Sequence, residues 1–164
     1  MMPYYPGYPG ASVPGGPYPV PPYGPTQQLA LNILEAIQGE LKAAQVYRRL
    51  LQMATTQEDR ENLQQILDDE LKHLRMFTDL YARLTCMSPP PAQVTPPTFT
   101  TYMEGLKGAY YDELEAAEFY RSILLSTCDG QVQRVFFEAM TDEMEHAIRL
   151  NRLLYLAEEA EGED

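Results

Sequence analysis

Four segments of this chain repeat their apolar residues at spacings of three and four, the pattern of amphipathic helices that bury one face. The first segment covers about residues 29–54, and the second begins after Thr56, a favourable N-cap residue. The third opens with the capping-box pattern Thr101-x-x-Glu104, and the fourth follows a second N-cap candidate, Asp129. The pattern therefore predicts four long helices.

A proline-rich link separates the second predicted helix from the third. Residues 85–98 contain five prolines and cannot continue either helix. In an extended polyproline conformation these 14 residues span roughly 43 Å, close to the length of a 26-residue helix. The link is thus long enough to cross the whole molecule, which predicts an all-α four-helix bundle of two helical hairpins joined by a Pro-rich crossover.

The two ends of the chain differ from this helical region. Residues 1–25 carry no charge and hold nine Pro, five Gly and five Tyr, a composition that predicts an extended, disordered tail. Residues 158–164 are strongly acidic and are expected to fray into solvent. The predicted folding unit is therefore residues 26–157.

Several polar residues interrupt the apolar stripes of the four predicted helices. The second and fourth helices contain the runs DELKH and DEMEH, each of which places a Glu and a His three residues apart on one face. The first and third helices each contribute one further Glu to the stripe. The six polar stripe residues are Glu40, Glu70, His73, Glu113, Glu143 and His146.

An internal repeat relates the two halves of the helical region. An offset of 73 residues, without a gap, superimposes Glu40 on Glu113, and it matches the two DExxH runs as well. The same offset pairs Tyr47 with Tyr120 and many apolar positions. The two hairpins thus read as copies of one unit.

The four glutamates are predicted to lie in one layer. Counted from the shared end of an up-down bundle with a crossover, each lies roughly 17 to 21 Å along its helix. Four carboxylates buried together without cations would be strongly unfavourable, and two divalent ions would neutralise them. Carboxylate and imidazole ligands without thiolate suit iron or manganese. The layer therefore predicts a two-metal site.

Charge and composition narrow the choice of partners. The net charge is -12, with 24 acidic and 12 basic residues, which disfavours nucleic acid and anionic membranes. We find neither a signal-peptide pattern nor a membrane-spanning run, so the expected location is the cytoplasm. Cys86 and Cys128 form no CxxC pair and are predicted to be free thiols.

These residues resemble the ferritin-like di-iron carboxylate superfamily, nearest to its rubrerythrin and bacterioferritin branches, over about residues 28–157. The resemblance implies terminal ligands at Glu40 and Glu113 and bridging ligands at Glu70 and Glu143. It also implies one imidazole ligand for each metal, from His73 and His146.

The resemblance also assigns residues around the ligands. Asp69 and Asp142 match second-layer aspartates that accept the remaining imidazole N–H. Tyr47 and Tyr120 match catalytic-site tyrosines that hydrogen-bond a ligand or supply an electron. The rubredoxin-like CxxC module of rubrerythrins is missing from this sequence, so any electron donor would be a separate molecule.

By this resemblance the chain is expected to be a di-iron oxidoreductase that binds two Fe ions as Fe(II) and reduces O2 or H2O2. A dimanganese, catalase-like enzyme is one alternative, because the same ligands hold manganese. A structural protein is another, since the Tyr/Pro/Gly tail resembles those of some spore-coat proteins, which would imply spore association. A homo-oligomer, such as a dimer, is expected in each case. The metal, the oxidant and the role of the tail stay open.

Overall fold

The computed structural model describes residues 25–162, which form four α-helices without a β-strand in that range. The helices are α1 (Pro25–Met53), α2 (Gln57–Thr85), α3 (Tyr102–Ser126) and α4 (Gly130–Gly162). The predicted all-α bundle is confirmed, whereas nearly all of the predicted N-terminal tail lies outside the described residues. Within residues 25–162, we find no helix with the length and apolarity needed to cross a membrane.

The predicted N-caps form as the sequence indicates. The Thr56 hydroxyl accepts a hydrogen bond from the Asp59 backbone N–H at 3.1 Å, and Thr101 accepts one from the Glu104 N–H at the same distance. The Glu104 carboxylate reaches back to the N–H of Thr100, at 2.8 Å, one residue before the cap. For α4, Asp129 accepts hydrogen bonds from the backbone N–H groups of residues 131 and 132.

Two helix ends extend beyond their predicted positions. Helix α1 begins at Pro25, where the fixed φ of proline and its missing N–H suit the first helical position. Helix α4 continues to Gly162, past the predicted bundle end at residue 157. The stretch after 157 is rich in Glu and Ala, which are strong helix formers, so the acidic end prolongs the helix as far as Gly162.

The two hairpins pack with α1 beside α3 and α2 beside α4. Arg152, near the end of α4, pairs with Glu58 at the start of α2 at 2.6 Å. At the opposite end of the bundle, Arg83 of α2 pairs with Asp129 before α4 at 3.0 Å. Helices α2 and α4 are therefore antiparallel, as the crossover topology requires.

The proline-rich link runs along the outside of α1. Gln38 donates a side-chain hydrogen bond to the carbonyl of Gln93 at 3.3 Å, and Arg49 donates one to the carbonyl of Pro97 at 2.7 Å. The Arg49 guanidinium also lies 4.8 Å from the ring centre of Phe99, a cation–π contact. The predicted crossover is thus confirmed, and it is fastened to α1 by specific contacts.

Gly105 allows α3 to start close to this link and to α1. A Cβ atom at this position would lie 2.6 Å from the ring of Phe99 and 2.7 Å from the side chain of Leu50. Leu50 is fully buried and Phe99 packs against the same apolar cluster, so any larger residue would force these side chains to shift. This close approach sets how α3 enters the bundle.

The core consists of two apolar clusters with a polar layer between them. One cluster, near the start of α2, includes Leu50, Leu63, Leu106 and Leu150. The other, near the start of α4, includes Ile33, Phe77, Ile123 and Phe136. The six polar stripe residues lie between these clusters and are each at most 4% exposed.

Candidate metal centre

The buried layer brings together all six polar residues predicted from the stripes. Their ligand atoms form two groups of four, and within each group all atoms lie within 4.8 Å of one another. The first group is Glu40, Glu70, His73 and Glu143, and the second is Glu70, Glu113, Glu143 and His146. Both groups contain Glu70 and Glu143, so these two carboxylates stand between two adjacent positions for cations.

The two imidazoles point the same ring nitrogen into the layer. Nδ1 of His73 lies 3.2 Å from the Glu143 carboxylate, and Nδ1 of His146 lies 3.1 Å from that of Glu70. The opposite nitrogen of His73, Nε2, is 3.0 Å from Asp142, and Nε2 of His146 is 3.5 Å from Asp69. Each aspartate therefore faces the histidine of the other hairpin.

Two buried tyrosines cross between the hairpins in a similar way. The Tyr120 hydroxyl on α3 donates a hydrogen bond to Glu40 on α1 at 2.6 Å, while Tyr47 on α1 donates to Glu113 on α3. Burial, followed by the charge of the neighbouring glutamates, raises the pKa of both phenols well above its ordinary value. Both tyrosines consequently remain protonated donors.

Hydrogen bonds divide the four buried carboxyls into two kinds. Desolvation, followed by the charge of Glu70, raises the pKa of the Glu40 and Glu113 carboxyls well above the ordinary value. Burial by itself would also raise the pKa of Glu70. Hydrogen bonds from Glu40 and from the two imidazoles outweigh that effect and lower it. In the metal-free layer the outer carboxyls thus hold protons and Glu70 is ionised.

The same contacts favour the protonated, charged form of both histidines. Burial acts to lower the pKa of His73, but hydrogen bonds to Glu143 and Glu70 overcome it and raise that pKa to about 10. The pKa of His146 is raised as well, against burial, by hydrogen bonds to Glu113, Glu143 and Glu70. Without cations the layer is therefore neutralised by protons on the imidazoles and on the outer carboxyls.

The donor set fits divalent cations. Three buried atoms of the layer have close charged neighbours but no well-aligned hydrogen bond: Glu70 Oε1, His73 Nδ1 and Glu143 Oε1. A buried polar atom without a well-aligned partner is costly, and all three belong to a group whose atoms are close enough to share one ion. The set contains oxygen and imidazole nitrogen but no sulfur, which suits iron or manganese.

An opening between α1 and α3 connects the layer with the surface. A cavity of about 440 Å³ is lined by the ligands Glu40 and Glu113 on its inner side. Small residues of both helices widen it: Ala36, Gly39, Ala43, Ala109 and Ala116. At its mouth Lys42 and Asp112 form an exposed ion pair at 2.8 Å. The sequence pattern did not predict this cavity, because it depends on the separation of α1 and α3.

Lys72 is a further residue near the layer that the sequence pattern did not single out. Its ammonium lies 2.8 Å from Asp142 and 3.7 Å from Asp69, and so contacts both aspartates that face the histidines. In the second repeat the corresponding position is Glu145, so the lysine breaks the repeat. This mismatch within the repeat is the feature of the sequence that could have pointed to Lys72.

A four-helix bundle with a long crossover and a mid-bundle layer of carboxylates and imidazoles defines the ferritin-like class of proteins. The chain belongs to the rubrerythrin family, because a model of that family, described as Rubrerythrin, matches residues 32–154. This family belongs to the ferritin-like superfamily, as the DExxH runs and their partner glutamates indicated.

One relative in sequence and two solved structures are similar to this chain, and the structures show the same fold. An uncharacterized protein of Bacillus subtilis (strain 168), YhjR, is 38% identical over 144 residues, which are 87% of this chain and 95% of that protein. A hypothetical protein from Pyrococcus furiosus has the same fold, with a TM-score of 0.70 at 19% identity, over 78% of this chain and 89% of that one. A two-domain protein from Anabaena variabilis, with DJ-1/ThiJ/PfpI-like and ferritin-like domains, is similar to this chain with a TM-score of 0.67 at 14% identity. The match covers 84% of this chain and 39% of that protein.

Proposed function

We propose that this protein binds two iron ions in the buried layer and uses them to reduce O2 or H2O2, as a ferroxidase or a peroxide scavenger. One observation carries the proposal: the two four-residue groups share Glu70 and Glu143. Sharing two carboxylates places two cations side by side, whereas separate groups would give independent sites. When bound, a pair of redox-active ions supplies the electrons and the open coordination positions for this reaction.

The assignment of ligands follows from the two groups. Glu40 and His73 would hold one ion, and Glu113 and His146 would hold the other. Glu70 and Glu143 belong to both groups and would help to hold both ions. The unpartnered buried oxygens of the two shared glutamates support this assignment.

The aspartates would orient the imidazoles. In its neutral form His73 donates Nε2–H to Asp142, at 3.0 Å, and thereby leaves the Nδ1 lone pair directed at the layer. Asp69 plays the same part for His146 at a longer distance, 3.5 Å. Lys72 adds positive charge beside Asp142. Burial acts to raise the pKa of the Asp142 carboxyl, but hydrogen bonds from Lys72 and His73 outweigh burial and lower that pKa below its ordinary value.

The tyrosines would hold the outer carboxylates in place and serve the reaction. Each donates its hydroxyl hydrogen to Glu40 or Glu113, which restricts the rotation of the terminal ligand. A phenol in direct contact with a ligand is also placed to give an electron and a proton during reduction of the oxidant. The cavity between α1 and α3 reaches the same two ligands and offers a path for ions and oxidant.

An anaerobic titration with Fe(II), followed by O2 or H2O2, tests the proposal. We expect about two Fe(II) per chain and a ferric absorbance that appears on adding the oxidant, in keeping with the two groups. Fewer than two ions, or oxidation no faster than in a Glu70→Ala, Glu143→Ala variant, would contradict it. The metal content of protein purified without added metal distinguishes iron from a dimanganese, catalase-like alternative.

Metal binding should release protons and strengthen as the pH rises. The metal-free layer carries protons on His73 and His146 and on the Glu40 and Glu113 carboxyls, and cations must displace them. Because the pKa of His73 is raised to about 10 and that of His146 is raised as well, affinity should keep increasing through pH 7 and beyond pH 8. Calorimetry with Mn(II) in two buffers of different ionisation enthalpy counts the protons.

We expect between two and four protons released per chain near neutral pH, one for each of these groups that is displaced. A His73→Gln variant is the control and should release fewer. If the affinity for Mn(II) does not change between pH 6 and pH 8, the metal does not displace these protons, and the expectation is wrong.

A further inference from the structure

The internal repeat makes the two candidate ion positions nearly equivalent. The offset of 73 residues relates the ligands of one position to the ligands of the other, and it also relates the two aspartates and the two tyrosines around them. Two exact copies of one hairpin would hold their ions alike. A difference between the two positions must therefore come from residues that break the repeat.

Lys72 breaks the repeat at the edge of the layer, between α2 and α4. Its counterpart Glu145 is exposed and pairs with Arg149 on its own helix, at 2.6 Å. Lys72 instead reaches across to the other hairpin, where its ammonium lies 2.8 Å from Asp142. Of the two aspartates behind the histidines, one thus has a close cationic partner on the facing helix, and Asp69 has only the more distant contact with the same lysine, at 3.7 Å.

Lys72 and His73 contact the same oxygen atom of Asp142. This oxygen, Oδ2, lies 2.8 Å from the Lys72 ammonium and 3.0 Å from Nε2 of the imidazole. A carboxylate that is fixed by a charge-assisted hydrogen bond cannot easily rotate away from the imidazole. In the other half of the layer, Asp69 lies 3.5 Å from Nε2 of His146, at the limit of a hydrogen bond. One aspartate–histidine pair is therefore held tightly and the other loosely.

The charge of Lys72 by itself acts in the opposite sense, because a cation near the layer repels metal ions. Three carboxylates surround the ammonium at 2.8 to 3.7 Å, however: Asp69, Glu138 and Asp142. The lysine and these carboxylates together carry a net negative charge. The lysine side chain is also 36% exposed, so water screens its charge. The positioning effect of Lys72 should therefore outweigh the repulsion.

We propose that Lys72 makes the two ion positions unequal in affinity. The position that contains His73 binds its ion more tightly than the position that contains His146. Lys72 acts as a positioning residue: it holds Asp142 in place, and Asp142 in turn holds the imidazole of His73 with Nδ1 directed at the layer. The inference rests on the two-ion centre of the proposed function, but it concerns affinity rather than redox chemistry, so metal binding alone tests it.

The affinity of each position can be measured after the terminal ligand of the other position is removed. Glu113→Gln leaves the position of His73 complete, and Glu40→Gln leaves the position of His146 complete. In a titration with Mn(II), the electron paramagnetic resonance signal of the free ion gives the dissociation constant of the remaining tight ion. We expect Glu113→Gln to bind this ion about tenfold more tightly than Glu40→Gln does.

Adding Lys72→Met to each of these two variants should remove the difference. Methionine retains a long apolar side chain but cannot hold the carboxylate of Asp142, so the affinity of the His73 position should fall about tenfold, whereas that of the other position should change less than about threefold. Lys72→Arg keeps a charged donor and should preserve most of the difference. Lys107→Met makes the same change at an exposed site on α3 and should leave both affinities unaltered. Circular dichroism checks that every variant is helical.

The possible outcomes separate this inference from the proposed function. Equal affinities in Glu113→Gln and Glu40→Gln, or a tighter ion in Glu40→Gln, would overturn the inequality and leave the two-ion centre in place. A tenfold difference that persists in the Lys72→Met background would also overturn it, because the inequality would then arise from other residues. A wild-type protein that binds no Mn(II) would contradict the two-ion centre itself, and this inference with it.

Discussion

Replacement of Glu70 by Gln should strongly weaken the binding of both metal ions, whereas replacement of Glu40 by Gln should weaken the binding of only one. Glu70 belongs to both four-residue groups, and Glu40 belongs to one. An amide retains the size of the side chain but lacks the charge that balances two cations, so we expect affinity to fall roughly 100-fold or more at each ion that loses a carboxylate. Titration with Mn(II) or anaerobic Fe(II) measures the stoichiometry.

The repeat provides the controls for this experiment. By the pseudo-twofold relation Glu143→Gln should behave like Glu70→Gln, and Glu113→Gln like Glu40→Gln. Glu145→Gln alters an exposed carboxylate on α4 that pairs with Arg149, and it should retain both ions. Equal stoichiometry in the Glu70 and Glu40 variants would rule out shared ligands and, with them, the two-ion centre.

Phe136→Ala should destabilise the bundle by about 3–5 kcal/mol. Phe136 is fully buried, and its ring lies 4.9 Å from that of Phe77 and 5.6 Å from that of Tyr120. Truncation removes these aromatic contacts and leaves a cavity that rigid helices cannot close. Urea unfolding of the metal-free protein, followed by circular dichroism, measures the change in the free energy of unfolding.

The size of the residue at position 136 should determine the loss. Phe136→Leu keeps most of the volume and should cost less than about 1.5 kcal/mol, and Asn151→Ala, at an exposed site on the same helix, should change stability by less than about 0.5 kcal/mol. A loss below 1 kcal/mol in Phe136→Ala would show that the cluster near the start of α4 is loosely packed. Because Phe136 contacts Tyr120, the same variant should also loosen the hydrogen bond to Glu40.

The helices and the polar layer could be predicted because they depend on spacing along the chain. The three- and four-residue periodicity marks each buried face, and a Glu on that face must find a partner wherever the helices meet. The repeat of 73 residues showed which residues of the two hairpins correspond. The length of the proline-rich link showed that the link can cross from one end of the bundle to the other. Each of these features can be counted on the sequence alone.

Features that depend on the distance between helices could not be predicted in this way. The repeat matches Tyr47 with Tyr120, but only the packing of α1 against α3 shows that each donates to the glutamate of the opposite hairpin. The contact of Lys72 with both aspartates depends on how closely α2 approaches α4. The helix ends at Pro25 and Gly162 were also missed, because terminal residues without an apolar stripe give no periodicity.

The contacts that link the two hairpins within the polar layer affect how the protein folds. Each hairpin is held together by contacts between neighbours in sequence, which form early and rapidly. Yet His73 faces Asp142 and Tyr120 faces Glu40, so every one of these contacts waits until the two hairpins dock. Docking also brings four glutamates together, a step that protons or cations must accompany. The late stage of folding should therefore be the stage whose rate depends on pH and on metal.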